Sequence, residues 1–185
     1  MNYLKITLLS VLCLLFITSC DDDDPEIVDP VELITTLNYT LTPDGGGTAK
    51  VFSFQDLDGD GGMDPAISFE ALEANTVYSG TLELLDESSD PSESISDEVR
   101  EEDDEHQVFF SSSLSDVSIE YNDSDGSGFP LGLSSTLTTG AAGSGTLTII
   151  LRHEPAKDAS GVSDGDITNA GGETDIEVQF NLDVQ

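Results

Sequence analysis

Positive charge is what this chain has least of: five lysine and arginine residues stand against 38 aspartates and glutamates, a formal net charge of −33 over 185 residues. Binding nucleic acid requires cations that neutralise phosphates, so nucleic acid is excluded as a partner, and direct docking on anionic lipid fails for the same reason. Arg100 and Arg152 are the only arginines, which leaves little to clamp an anionic substrate. Cysteine is scarcer still. Cys13 and Cys20 are the only two, so the chain beyond them has no disulfide framework and no thiol nucleophile. Long apolar runs are lacking too: the stretch Ile6–Ile17, interrupted by Thr7 and Ser10, is shorter than the roughly 20 residues a bilayer-spanning helix needs. There is no nucleophile elbow, no phosphate-cradling glycine loop before a helix and no internal repeat. Carboxylates are so abundant that no pair of them stands out as general acid and base. Nothing in this inventory assembles into an enzyme.

What is present begins with Lys5, the apolar run after it, and Ile17-Thr18-Ser19-Cys20. This stop resembles the lipobox of bacterial lipoproteins. The resemblance implies that residues 1–19 are a signal peptide, that a diacyl lipid is attached to the thiol of Cys20, and that cleavage leaves Cys20 as the first residue, with Cys13 lost. Asp21 to Asp24 follow at once, then Pro25 and Glu26. An acidic run in this place resembles the export signal that sends lipoproteins of Bacteroidota to the outside of the outer membrane. Residues 20–32 also suit a solvated tether that keeps a domain off an anionic surface. The expected location is the outer membrane, facing the exterior, with its periplasmic face as the alternative. Contact with the membrane is through the lipid alone. Partners that suit the charge are divalent cations, cationic peptides and basic protein surfaces.

Residues 33–185 are long enough for one domain that buries well over half its chain surface without staples. Period-two alternation dominates. Ile176, Val178, Phe180, Leu182 and Val184 alternate with polar residues, as do Leu33, Leu37, Tyr39 and Leu41. Tyr78-Leu82-Leu84, Val117-Ile119-Tyr121, Leu131-Leu133-Leu137 and Leu147-Ile149-Leu151 continue the series, and segments around Phe52-Phe54 and Val108-Phe109-Phe110 complete about eight strands. One apolar face per strand, with Gly- and Asp-rich turns between, predicts an all-β antiparallel sandwich of immunoglobulin-like type, packed on one side of each sheet. The acidic stretch Pro91 to Glu105 reads equally as a short helix starting near Ser92 or Ser94 and as an acidic loop.

Two constellations carry chemistry. In Asp56-Leu57-Asp58-Gly59-Asp60-Gly61-Gly62-Met63-Asp64, aspartates at alternate positions followed by glycine resemble the start of an EF-hand-like calcium loop, because a hard dication wants six to eight oxygens and glycine allows the tight turn. Asp56, Asp58, Asp60 and Asp64 fill the first, third, fifth and ninth positions, but Ile67 stands where the bidentate glutamate belongs. The stretch is at most a related aspartate loop, and Asp-Gly turns are also what an acidic β protein uses anyway. Asp123 and Asp125 in Asn122-Asp123-Ser124-Asp125-Gly126 are a shorter version, and Asp164-Gly165-Asp166 a weaker one. The second constellation is the histidines. His106 shares parity with Val108 and Phe110, His153 with Leu147, Ile149 and Leu151, so both point inward. With two strands between them, both reach the same end of the sandwich. Glu105 and Glu154 adjoin them, a set that suits zinc or iron. The plainer account, which parity alone favours, is two partly buried histidines hydrogen-bonded at strand ends.

From Leu33 onward the chain resembles a family of uncharacterised lipoproteins from flavobacteria and their relatives. The matching strings are Asp56 to Gly61, Glu105-His106-Gln107, Leu151 to Pro155, Gly161-Val162 and Gly165 to Asp175. Members sometimes carry the name of a type 1 periplasmic-binding fold, a doubly wound architecture that this strand pattern does not support. The resemblance implies no particular activity, though it draws attention to His106 and His153. The expected function is a non-catalytic surface lipoprotein whose sandwich captures a ligand or partner beside an outer-membrane receptor or transporter, with calcium as stabiliser. The alternative is capture of zinc or iron, and a hydrolase is the least supported. If the first aspartate loop holds calcium, chelation lowers the melting temperature of the wild type but not of an Asp58→Ala, Asp60→Ala double variant; equal responses in thermal melts of the two proteins count against that loop.

Overall fold

The computed structural model describes residues 33–59 and 62–185. The signal segment, Cys20, the tether to residue 32 and Asp60 lie outside the described residues. Among the described residues, ten strands form two antiparallel sheets. The larger contains β1 (Thr36–Pro43), β2 (Lys50–Gln55), β3 (Ala66–Ser68), β4 (Val77–Asp86), β5 (Glu93–Ser94), β7 (Ser118–Tyr121) and β8 (Ser134–Thr138), in the order β3-β2-β1-β4-β8-β7 with β5 also paired to β4. The smaller contains β6 (His106–Ser112), β9 (Gly143–His153) and β10 (Glu173–Val184), with β9 in the middle. The doubly wound architecture is thereby excluded, since no parallel sheet with helical crossovers is present among the described residues.

The eight strands read from the sequence are all there, and the two extra ones are β3 and β5, of three and two residues, too short to show a period. The seven-to-three division is more uneven than the four-to-three of an immunoglobulin constant domain. Alternation becomes burial: Leu37, Tyr39 and Leu41 of β1 meet Val178, Phe180 and Leu182 of β10 in one apolar core. Phe52 packs edge-on against Phe180, 5.6 Å between centroids, and Tyr39 lies 5.4 Å from Phe110. Leu33, expected to begin the first strand, precedes it and is exposed, and Leu131 and Leu133 are buried just ahead of β8.

One-sided packing needs a correction at the smaller sheet. The outer face of β6 and β9 carries Phe109 and Ile150, and the connection between β9 and β10 folds back over them. Its two 3-10 turns, Val162–Asp164 and Ile167–Asn169, deliver Val162, Ala170 and Ile167 to a second apolar cluster. The Gln107 side chain donates to the Val162 carbonyl at 2.9 Å, fastening that layer.

The acidic stretch forms helix α1 (Ile95–Glu101). Ile95 and Val99, four residues apart, bury one face, Asp97 and Glu98 lie in the first turn and Arg100 in the last, the signs that the helix dipole favours. The Ser96 hydroxyl accepts the Leu84 N–H at 2.7 Å, which ties α1 to β4.

Gly80 marks the tightest point of the large sheet. A Cβ there would lie 2.6 Å from the Ser135 hydroxyl and 2.7 Å from that of Tyr39, two groups that hydrogen-bond each other at 2.8 Å. Gly80→Ala should cost about 2 kcal/mol by overpacking, whereas Gly45→Ala, which meets nothing within 4 Å, should change stability by less than about 0.5 kcal/mol in urea denaturation.

Candidate metal centre

His106 opens β6 and His153 closes β9, and the antiparallel register makes them direct partners. Their rings stack, 4.7 Å between centroids at 23°. Strand count and parity therefore lead to the right end of the sandwich. The third member of the group was not read from the sequence. On β10 the register shifts between Thr174 and Ile176: Thr174 pairs with Arg152 and Ile176 with Leu151, so Asp175 is the extra residue of a β-bulge. Alternation from Ile176 backwards would turn Asp175 out to solvent. The bulge turns it in, and its side chain is fully enclosed.

Asp175 Oδ2 lies 3.9 Å from His106 Nε2, and Asp175 Oδ1 lies 4.0 Å from His153 Nδ1. One ligand atom from each of the three residues falls within 4.8 Å of the others. These separations are too long for hydrogen bonds, and neither oxygen of Asp175 has a hydrogen-bond donor. Burial pushes the Asp175 carboxyl above its ordinary range, against the pull of the two histidines. An enclosed carboxylate with no donor costs several kcal/mol unless a cation or a proton neutralises it. In a tetrahedral zinc site with bonds of about 2.0–2.1 Å, ligand atoms sit roughly 3.4 Å apart, and the two Asp175–histidine separations, each to a different carboxylate oxygen, exceed that by roughly half an ångström.

The outward sides of both rings face acceptors. His106 Nδ1 is 3.2 Å from the Glu102 carbonyl, which the C-terminal turn of α1 puts in place. That carbonyl selects the tautomer with the proton on Nδ1 and turns the Nε2 lone pair toward Asp175. His153 Nε2 faces Glu105 Oε2 at 3.6 Å, an ion-pair rather than a hydrogen-bond distance, and Nδ1 is the nitrogen that faces Asp175. Such outer partners are how metal-ligating histidines are oriented. Gly172 allows the approach of β10: with φ at +68°, a Cβ there would collide with the carbonyl oxygens of His153 and Glu154. Arg152, on the opposite face, donates to the Thr174 hydroxyl at 2.7 Å and pins the residue before the bulge. Sequence offers a faint signal for Asp175: an aspartate just ahead of an alternating strand and just after Gly171-Gly172.

The other sequence candidates are arranged differently. Asp56 accepts the Gly59 N–H at 3.0 Å and Asp58 the Met63 N–H at 3.1 Å, both within the turn from β2 to β3. Among the described residues, Asp56, Asp58 and Asp64 do not converge on a common point. Asp123 accepts the N–H groups of Gly132 and Ser134 at 2.7 and 2.9 Å. Asp125 accepts from Ser127 and Phe129, both at 2.9 Å, and pairs with the buried ammonium of Lys157 at 3.1 Å. Burial pushes the Asp125 carboxyl up, but the Phe129 N–H, Lys157 and the Ser127 N–H outweigh it and hold the group below its ordinary range. Backbone N–H groups and the Lys157 ammonium thus face the oxygens of Asp123 and Asp125. Asp166 accepts the Thr168 N–H and caps the second 3-10 turn. Glu105 and Glu154 stand at the outer side of His153, forming with it a second, exposed group.

An open groove of about 540 Å³ lies elsewhere, at the β7 edge, lined by Tyr121, Asp123, Pro130 and Asp164 among others; the histidines do not line it. Comparison with family models, with curated proteins and with solved structures finds no match in any of the three.

Removing Lys157 while Asp125 stays enclosed should be costly. Lys157→Met is expected to lose about 3–5 kcal/mol in urea unfolding at neutral pH. Because the native Asp125 carboxyl is held low, its contribution is present above the ordinary carboxylate range and lost as pH falls through that lowered value. Stability measured from neutral to acid pH should therefore fall less in Asp125→Asn than in the wild type.

Proposed function

We propose that this protein is a non-catalytic, lipid-anchored capture protein of the outer membrane whose sandwich binds a transition-metal dication, zinc or iron(II), through His106, His153 and Asp175. The observation that carries this reading is the enclosed Asp175 carboxylate, aimed by a β-bulge at two histidines and lacking a hydrogen-bond donor on either oxygen. Two imidazole nitrogens and one carboxylate form a donor set that suits zinc and iron(II) better than calcium or magnesium, which prefer all-oxygen shells. The strongly negative surface favours arrival of a cation. His106 and Asp175 are enclosed, and the His153 side chain is only 15% exposed, which suits retention of an ion more than turnover of a substrate. Attachment through Cys20, display on the cell exterior and delivery to an outer-membrane receptor or transporter belong to the same proposal; they rest on the lipobox-like stop and the acidic run behind it. The likeness to flavobacterial lipoproteins rests likewise on the strings quoted above.

The test is zinc and iron(II) binding by the purified protein in detergent, read by native mass spectrometry and by competition with a chromogenic chelator. One equivalent is expected. Asp175→Asn should weaken binding by more than the roughly 10–100-fold that loss of an outer-shell partner costs. The metal-free variant should melt at the same temperature as the metal-free wild type or higher, since a neutral amide is cheaper to enclose than a carboxylate without donors. A purely structural role for Asp175, as counter-ion to the two histidines, would give the opposite: a lower melting temperature and unchanged metal affinity.

A further inference from the structure

His153 belongs to two groups at once. On its inner side Nδ1 faces Asp175 at 4.0 Å, and on its outer side Nε2 faces Glu105 at 3.6 Å. Glu105, His153 and Glu154 also bring one ligand atom each within 4.8 Å of the others. Side-chain exposure falls inward along this line, from 46% at Glu105 through 15% at His153 to none at Asp175. Glu154 is held beside Glu105 by its backbone: its N–H donates to the Glu105 carbonyl at 2.6 Å, and it adopts a left-handed φ of 50°. That conformation is disfavoured for a non-glycine residue and is retained where the chain overdetermines it.

We propose that Glu105, Glu154 and the outer nitrogen of His153 form a loading station, at which a hydrated dication from solvent first binds before passing to His106, His153 and Asp175. This rests on the metal-capture reading. A dication loses water in steps, and a site enclosed on nearly all sides offers no place for a half-hydrated ion. Two exposed carboxylates do, because they bind a cation while leaving most of its waters in place. Their negative charge raises the local cation concentration at the mouth of the site. His153 then supplies the common ligand: its neutral ring offers the Nε2 lone pair to the ion on arrival, with the proton on Nδ1, and the Nδ1 lone pair once the ion is inside, with the proton on Nε2. The enclosed, donor-free carboxylate of Asp175 supplies the inward pull. The passage exchanges water and carboxylate ligands and moves one proton: the Nδ1–H bond of His153 breaks and its proton leaves to water, while an Nε2–H bond forms with a proton that water delivers past Glu105; no electron moves.

The experiment is stopped-flow zinc loading of the purified protein in detergent at low salt, with zinc ion as the probe. The Glu105→Gln, Glu154→Gln double variant keeps an acceptor oxygen beside His153 and removes both charges. Its association rate is expected to fall about ten-fold, the low end of what electrostatic focusing provides, with one equivalent still bound and affinity reduced by much less than the rate. Release to a chelator slows in parallel, and raising the salt narrows the gap. At about 0.1 M salt, neutralising the exposed Glu73, next to the Leu72 bridge to Val184 at the far end of β10 from Asp175, is expected to leave the rate within about two-fold, since its field is screened at the site. Equal loading rates in wild type and double variant would overturn the station, as would two tightly held zinc ions in the wild type or complete loss of zinc from the double variant. Failure of the underlying reading has a different signature: Asp175→Asn would then bind zinc as well as the wild type does.

Discussion

Burial of one apolar face from each sheet must hold together a chain whose like charges push it apart. The residues that do so are ordinary: leucines, valines and a few aromatics from β1, β2, β4, β8, β9 and β10, closed into one core. With so large an excess of carboxylates, their placement is tightly governed. They crowd the solvent faces, turns and first turn of α1, and where one is enclosed it needs a counterpart. Asp125 has two N–H donors and the Lys157 ammonium. Asp175 has two imidazoles at ion-pair distance and no donor. The contrast between these two carboxylates is the physical basis for reading one as architecture and the other as a ligand.

Much of this was legible from residue order. Alternation marked β1, β4, β7, β8, β9 and β10, because a half-buried antiparallel strand leaves that pattern, while β2 and β6 showed only as short apolar segments. The short β3 and β5 left none, since three or two residues cannot display a period. Consecutive apolar residues at Val108-Phe109-Phe110 and Ile149-Ile150 signalled that the small sheet is covered on both faces, a signal easily taken for strand interior alone. The histidines were placed by parity and strand count. Asp175 escaped because a bulge breaks the parity on which the argument depends, and bulges are set by the crossing of two chains rather than by local preference. The aspartate loops were legible as turns, but sequence alone does not separate a carboxylate that binds its own backbone from one that waits for an ion.

The layer over the smaller sheet, residues 154–172, does more than cover Phe109. It receives the Gln107 side chain and, through Lys157, reaches both Asp125 and the Asp103 carbonyl, joining the turn before β6 to the far edge of the larger sheet. The turn so held carries Glu102 and Glu105, the two acceptors that face the histidine rings. Fold and candidate site therefore share their fastening, and the site does not hang on a loop of its own.

The bulge at Asp175 has one more consequence. β10 is twelve residues long and forms an outer edge of its sheet, and a long, regular edge is a template on which a second chain can add itself strand by strand. An extra residue near its start throws the hydrogen-bonding groups out of step and increases the local twist, while Glu177 projects from the exposed face a little further along. That irregularity guards the strand edge against self-association.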